Sequence, residues 1–173
     1  MIDHYVATRD HIFICKLLFI PVAGCMIVKK ITISFEKGGS FAAELFEETS
    51  PETCQVFWNY LPIEGKPLHM RWAGRGLWLP LADFPKPYPP RENQLSIVGE
   101  GYLMFRVDWT GGHQNPTPGI ALFYGPEIPR NLGGIMGVRL NWIGRIRENL
   151  DELVQVGERI YYEGREKITL KKL

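Results

Sequence analysis

The sequence predicts a mainly β fold: a compact closed barrel of about eight short strands with two helices plugging its ends. Three observations lead there. From Met26 onward, apolar and polar residues alternate in short runs separated by Gly- and Pro-rich turns. Only two stretches carry helical spacing instead. No internal repeat or linker divides the 173 residues, a length that one ordinary domain fills while burying a sizeable core.

In chain order, Val28, Ile31, Ile33 and Phe35 mix with Lys29, Lys30, Thr32 and Ser34. The turn Lys37-Gly38-Gly39-Ser40 and a second run over 41–46 complete a β-hairpin. A helix is expected over 49–61, because Cys54, Phe57, Trp58 and Leu61 stand at i, i+3, i+4 and i+7. Either Thr49 caps it with Glu52 completing a capping box, or Ser50 caps it with Pro51 at the first helical position. Burying Phe57, Trp58 and Leu61 should contribute about 1.5–3 kcal/mol each, so this helix seals a core. Residues 62–67 read as a loop, 68–72 and 77–81 as strands around Ala73-Gly74-Arg75-Gly76, and the proline-dense 84–92 as an extended surface loop. Further strands are expected over 102–107, 120–124 and 138–144, with a turn at Gly111-Gly112 and irregular chain over 126–137. The second helix is placed over 147–156, with Ile146, Leu150, Leu153 and Val154 on one face and Gly157 just past its end. Strands over 159–162 and 167–170 close the chain.

Composition narrows the function. With 20 basic and 19 acidic side chains the net charge is +1, which points away from nucleic acid. Cys15, Cys25 and Cys54 are too few and too widely spaced for a disulfide framework or a zinc knuckle, and Cys54 reads as a small core residue. The 4 His show no ligand spacing, so no metal and no cofactor is expected. Residues 1–25 read as a leader outside the domain, which then runs over 26–173. The apolar run from His11 is interrupted by Lys16 and is too short to span a membrane. Its end, Val22-Ala23-Gly24-Cys25, resembles a lipobox, but Asp3 and Asp10 outweigh Arg9 where a positive flank is required. An upstream start would make the protein cytoplasmic, a true lipobox would make it lipid-anchored, and a packed extension is the third reading.

Several motifs carry a family resemblance. The stretch Thr49-Ser50-Pro51-Glu52-Thr53-Cys54-Gln55-Val56-Phe57-Trp58 resembles the helix start of cyclophilins, and 144–153 resembles their late strand-to-helix passage. The chain is also similar to a bacterial family of unknown function with the cyclophilin-like fold. The motifs shared with it are Ala43-Glu44-Leu45-Phe46-Glu47 through Leu61-Pro62, then His69, Arg71, Trp72, Gly74, Trp78 and Pro80, and finally Gly157, Arg159 and Glu163-Gly164. The resemblance covers Met26 to the C-terminus and implies a closed barrel with two helices. It brings no established activity.

The densest functional cluster is His69-x-Arg71-Trp72-x-x-Arg75-x-x-Trp78. In a strand His69 and Arg71 would share one face and Trp72 the other. An Arg beside flat rings suits a carboxylate, phosphate or amide carbonyl held by the guanidinium fork. The leading expectation is therefore a small-molecule or peptide ligand at the barrel rim. Arg71 would anchor it, Trp72, Trp78 and His69 would lie beside it, and Tyr102, Phe123 and Tyr124 would form further walls. The same residues can also be read as an Arg–Trp contact without a ligand. A second expectation is a peptidyl-prolyl cis/trans isomerase, because His69 and Arg71 resemble a spaced version of the adjacent His-Arg pair of cyclophilins. The chain lacks the Q-G-G-D and F-x-M-A-N segments of that family. A third is a structural or homo-oligomeric role. His113-Gln114-Asn115 reads as a polar loop tip, and the glycines of 131–137 as a structural loop.

Overall fold

The computed structural model describes residues 28–106, 117–130 and 137–173. The leader, Cys15, Cys25, the Gly111-Gly112 turn, the His113 loop tip and most of the 131–137 glycine loop lie outside the described residues.

The chain forms ten strands and two helices among these residues. In order they are β1 Lys30–Phe35, β2 Ser40–Leu45, α1 Pro51–Tyr60, β3 Ile63–Gly65, β4 Leu68–His69, β5 Gly76–Pro80 and β6 Gln94–Leu95. There follow β7 Tyr102–Arg106, β8 Gly119–Phe123, β9 Leu140–Ile146, α2 Leu150–Glu163 and β10 Ile168–Lys172. All ladders are antiparallel and belong to one sheet in the order β3-β10-β1-β2-β9-β7-β8-β5-β4, with β6 added on β9. The sheet curls into the expected barrel. Its two ends, β3 and β4, are consecutive in the chain and joined through Lys66-Pro67, so covalent chain and not a ladder spans the seam.

Strand alternation sorts side chains onto two faces. Ile33, Leu77, Leu103, Phe105, Leu122 and Leu170 fill the inside. That interior retains a void of only about 10 Å³, too little for more than a single water. The barrel is therefore a packed core without a ligand lumen. Trp78, Met104, Ala121, Phe123 and Leu140 point to the other side and build a second apolar cluster there.

Helix α1 starts in the Ser50/Pro51 register, yet no side chain of its own caps it. Ser50 Oγ instead donates to the Trp142 carbonyl at 2.9 Å. The helix N-terminus is served from a distant loop: the Glu92 carboxylate accepts from Glu52 N at 3.1 Å, Thr53 N at 2.7 Å and Thr53 Oγ1 at 2.6 Å. A carboxylate at this position also complements the helix dipole. Cys54 and Phe57 are buried as the spacing predicted, whereas Trp58 is half-buried under Lys29 and Lys172, whose Nζ atoms lie 5.4 and 5.0 Å from its ring.

Four expectations need correction. Residues 63–65, expected in a loop, form β3 because β10 offers them a free edge. The strand expected over 68–72 stops at His69. Met70 N donates to Gly76 O and Ala73 N to Met70 O, both at 2.8 Å, and Gly74 takes φ +84°, so Arg71 and Trp72 sit in a turn. Helix α2 does not end at Gly157; it runs to Glu163 and absorbs the strand expected over 159–162. Gly157 is buried inside the helix, where a Cβ would overlap the Tyr124 ring. The glycine is there for close packing, and the helix ends instead at Gly164, whose N–H donates to Ile160 O.

Candidate functional site

The residues that sequence reasoning grouped divide between the two faces. His69 pairs with Leu77 in the β4–β5 ladder and Leu68 with Trp78, so one step of alternation sends His69 to the barrel mouth and Trp78 to the outer cluster. Tyr124 and Phe123 part in the same way.

At the mouth, under helix α2, His69, Arg71, Gly74, Arg75, Tyr124, Glu158, Tyr161 and Tyr162 line an open pocket of about 280 Å³. Arg71 comes from the β4–β5 turn and packs its guanidinium over the Tyr161 ring, 4.4 Å from the centroid. One Nη donates to the Tyr161 carbonyl at 2.5 Å. Helix α2 carries no basic residue in its last turn. Arg71 thus supplies from outside the cation that a helix C-terminus favours. These two contacts fix the fork, and its other N–H donors have no acceptor among the described residues. Arg75 is held by its backbone: its N–H donates to Glu127 Oε1 at 3.1 Å, and its carbonyl accepts from Tyr124 N at 3.0 Å. Gly74 is required beneath it, since a Cβ there would overlap the Glu127 carboxyl.

The floor of the pocket is an aromatic pair. His69 Nε2 and the Tyr124 hydroxyl lie 2.5 Å apart, and the His69 ring also meets Tyr161 edge-on at 4.7 Å. Burial, and then the charge of Arg71, hold the His69 pKa below its ordinary value. Protonation would leave Nδ1 as a charged donor, and that atom is buried without a partner. Burial also pushes the Tyr124 phenol up to about 12, with Glu158 adding to the rise and Arg75 opposing it. At neutral pH both groups are uncharged, and the charges lining the pocket are Arg71, Arg75 and Glu158, with the Glu127 carboxylate behind Gly74.

The remaining predicted residues line the outer cluster. Trp78 lies beneath the Arg106 guanidinium at 5.3 Å, and Tyr102 stacks on Trp142 at 4.4 Å and has the Arg145 guanidinium 5.2 Å from its ring centroid. Phe123 is fully buried and Trp72 half-buried there. A larger concavity lies elsewhere again. A groove of about 720 Å³ runs beside Phe46 and Trp142, whose rings meet edge-to-face at 4.7 Å. In it Glu44 pairs with Lys30 and Arg147 at 3.2 and 2.9 Å, and Glu47 with Lys29 at 2.6 Å. Among the described residues no group of His, Cys, Asp and Glu is arranged to hold a metal. None of their helices is long and apolar enough to cross a membrane.

Glu158, Tyr161 and Tyr162 fall outside the site residues the sequence singles out, because Gly157 reads as the helix end and 159–162 as a strand. The apolar spacing of Leu153, Val156 and Ile160 continues through Gly157 and would have carried the helix on to them.

A curled antiparallel barrel with two helices over its ends defines a protein of the cyclophilin-like fold. Comparison with solved structures gives the same class. The chain is similar to McbB, solved in complex with tryptophan, with a TM-score of 0.64 and 19% identity over 82% of this chain and 44% of that one. The chain thus spans less than half of McbB. It is similar to the hypothetical protein AF2241 from Archaeoglobus fulgidus (TM-score 0.54, 21% identity, 85% and 96% covered). It is also similar to the Mimivirus cyclophilin (TM-score 0.50, 16% identity, 84% and 87% covered). The chain belongs to the DUF3830 family of proteins of unknown function, which it matches over residues 31–172. Comparison with curated proteins gave no match.

Proposed function

We propose that this domain binds a small ligand bearing a carboxylate, phosphate or carbonyl group in the pocket at the barrel mouth, with Arg71 and Arg75 as anchors. The observation that carries this reading is the convergence of two arginines on one 280 Å³ depression where neither guanidinium meets a carboxylate among the described residues. Arg71 is oriented by Tyr161 before any ligand arrives, so little conformational freedom is lost on binding. The packed barrel interior favours such a surface pocket over a lumen. Trp72, Trp78, Phe123 and Tyr102 belong to the other face and act on this pocket only by holding the β5 and β8 strands that carry it.

The test is an NMR titration of the full chain with acetate, benzoate and inorganic phosphate. Shifts should appear at the Arg71 and Arg75 side chains and the Tyr161 amide. Arg71→Ala should weaken binding about tenfold or more, the worth of one charge-assisted hydrogen bond. Affinities unchanged in that variant would remove Arg71 from the reading. The isomerase alternative rests on fold likeness, and fold carries activity poorly. Exchange spectroscopy on an Xaa-Pro peptide decides it: acceleration of cis/trans exchange that disappears in Arg71→Ala would replace the binding reading.

A further inference from the structure

Glu158 determines what kind of anion suits this pocket. It stands on the exposed side of α2 and lines the same depression as Arg71 and Arg75, yet it forms no ion pair with them or with any other described residue. Some carboxylates close onto their neighbours, as in Lys29–Glu47 at 2.6 Å, Lys167–Glu64 at 2.7 Å and Lys37–Glu163 at 2.8 Å. Others, Glu48, Asp151 and Glu152 among them, stand exposed without an ion pair among the described residues. Glu158 is set apart by its place in a pocket that two arginines also line. Opposite charges kept in one small pocket but out of contact are matched best by a ligand that carries both signs. A simple carboxylate would leave Glu158 facing a second anion across the pocket, and a simple amine would meet two guanidinium groups. Each is a like-charge approach that costs affinity. Tyr162, 80% exposed at the pocket edge and in edge contact with Tyr161 at 4.9 Å, adds an apolar surface for the rest of the ligand. The small volume suits a single small molecule and not an extended peptide.

We infer that the pocket takes a free α-amino acid, its carboxylate on Arg71 and Arg75, its ammonium on Glu158 and its side chain against Tyr162. This rests on the binding reading above and narrows it to one substrate class. Both ligand charges are matched, and specificity comes from rejecting molecules that lack either one.

The experiment is a titration of the full chain at neutral pH with each common L-α-amino acid, followed by amide NMR. The tightest binder is then compared with its des-amino acid and its decarboxylated amine. The amino acid should bind about tenfold or more tightly than either analogue. Glu158→Gln should bring it down to the level of the des-amino acid. The same spectra verify that this variant, altered at an exposed helix position, keeps its fold. A des-amino acid that binds as tightly as the amino acid, or a Glu158→Gln variant that leaves the gap unchanged, overturns the amino-acid assignment while the anion site stands. If no amino acid and no simple carboxylate perturbs the pocket, the binding reading falls together with it.

Discussion

The groove beside Trp142 and the pocket beneath Tyr161 differ in what their polar groups are attached to. In the larger groove Glu44 and Glu47 are tied to lysines and an arginine. Asn93, on its wall, donates to Thr49 Oγ1 and to the Trp142 carbonyl at 2.9 and 3.1 Å. In the smaller pocket the guanidinium groups and the Glu158 carboxylate have no charged partner among the described residues. Size alone would rank the groove first. Unmatched charge ranks the pocket first, because a polar group already satisfied by protein has little left to offer a ligand.

Asn141 stands behind the groove. This side chain is fully buried; its Nδ2 donates to Thr53 Oγ1 and the Pro90 carbonyl at 2.9 and 2.7 Å, and its Oδ1 accepts from Glu92 N at 3.2 Å. Asn141→Ala should lower stability by about 2–4 kcal/mol in urea unfolding and leave ligand affinity at the pocket intact. A binding loss with little change in stability would put the functional centre on the groove side. Gly157→Ala should cost about 1–3 kcal/mol by overpacking against Tyr124, and it should also abolish binding, since the displaced ring is the pocket floor. Arg71→Ala should change stability by no more than about 0.5–1 kcal/mol, as expected for an exposed cation at a helix end, while ligand affinity falls.

The smallest effect is a pH dependence. His69 has a folded pKa depressed below its unfolded value, so its contribution is complete above about 6.5 and is lost as pH falls through the folded pKa. Glu44, also depressed, loses its contribution only below 4.5. Urea midpoints should therefore decline between pH 7.5 and 5.5 in wild type, and less so in His69→Gln. Equal declines would remove His69 as the cause.

The sequence made the barrel legible because its strands alternate and its first helix carries a continuous apolar stripe from Cys54 to Leu61. The site was legible only in part. His69, Arg71 and Tyr124 do converge, but the adjacent Trp72, Trp78 and Phe123 go to the opposite face. Proximity in sequence within a strand is no guide there, because neighbours point apart. Arg71 reaches the mouth through a turn that period-two reasoning took for a strand. The opposite wall depended on one glycine: Gly157 has the local chemistry of a helix terminator, and only the Tyr124 ring packed against it, 33 positions earlier in the numbering, gives it a helix-interior role. The Glu92 clamp on α1 was invisible for a related reason, since a cap supplied from 39 residues away leaves no local pattern.

The seam at Lys66-Pro67 also bears on how the molecule behaves in a crowded solution. An open sheet usually offers long unpaired edges on which other chains can add as new strands. Here the terminal strands have three and two residues, and between them stand a lysine and a residue without an N–H to donate. A stray strand would find only a few backbone groups before meeting a charge and a proline. The joint that leaves the barrel's ladder incomplete therefore also protects it from edge-to-edge aggregation.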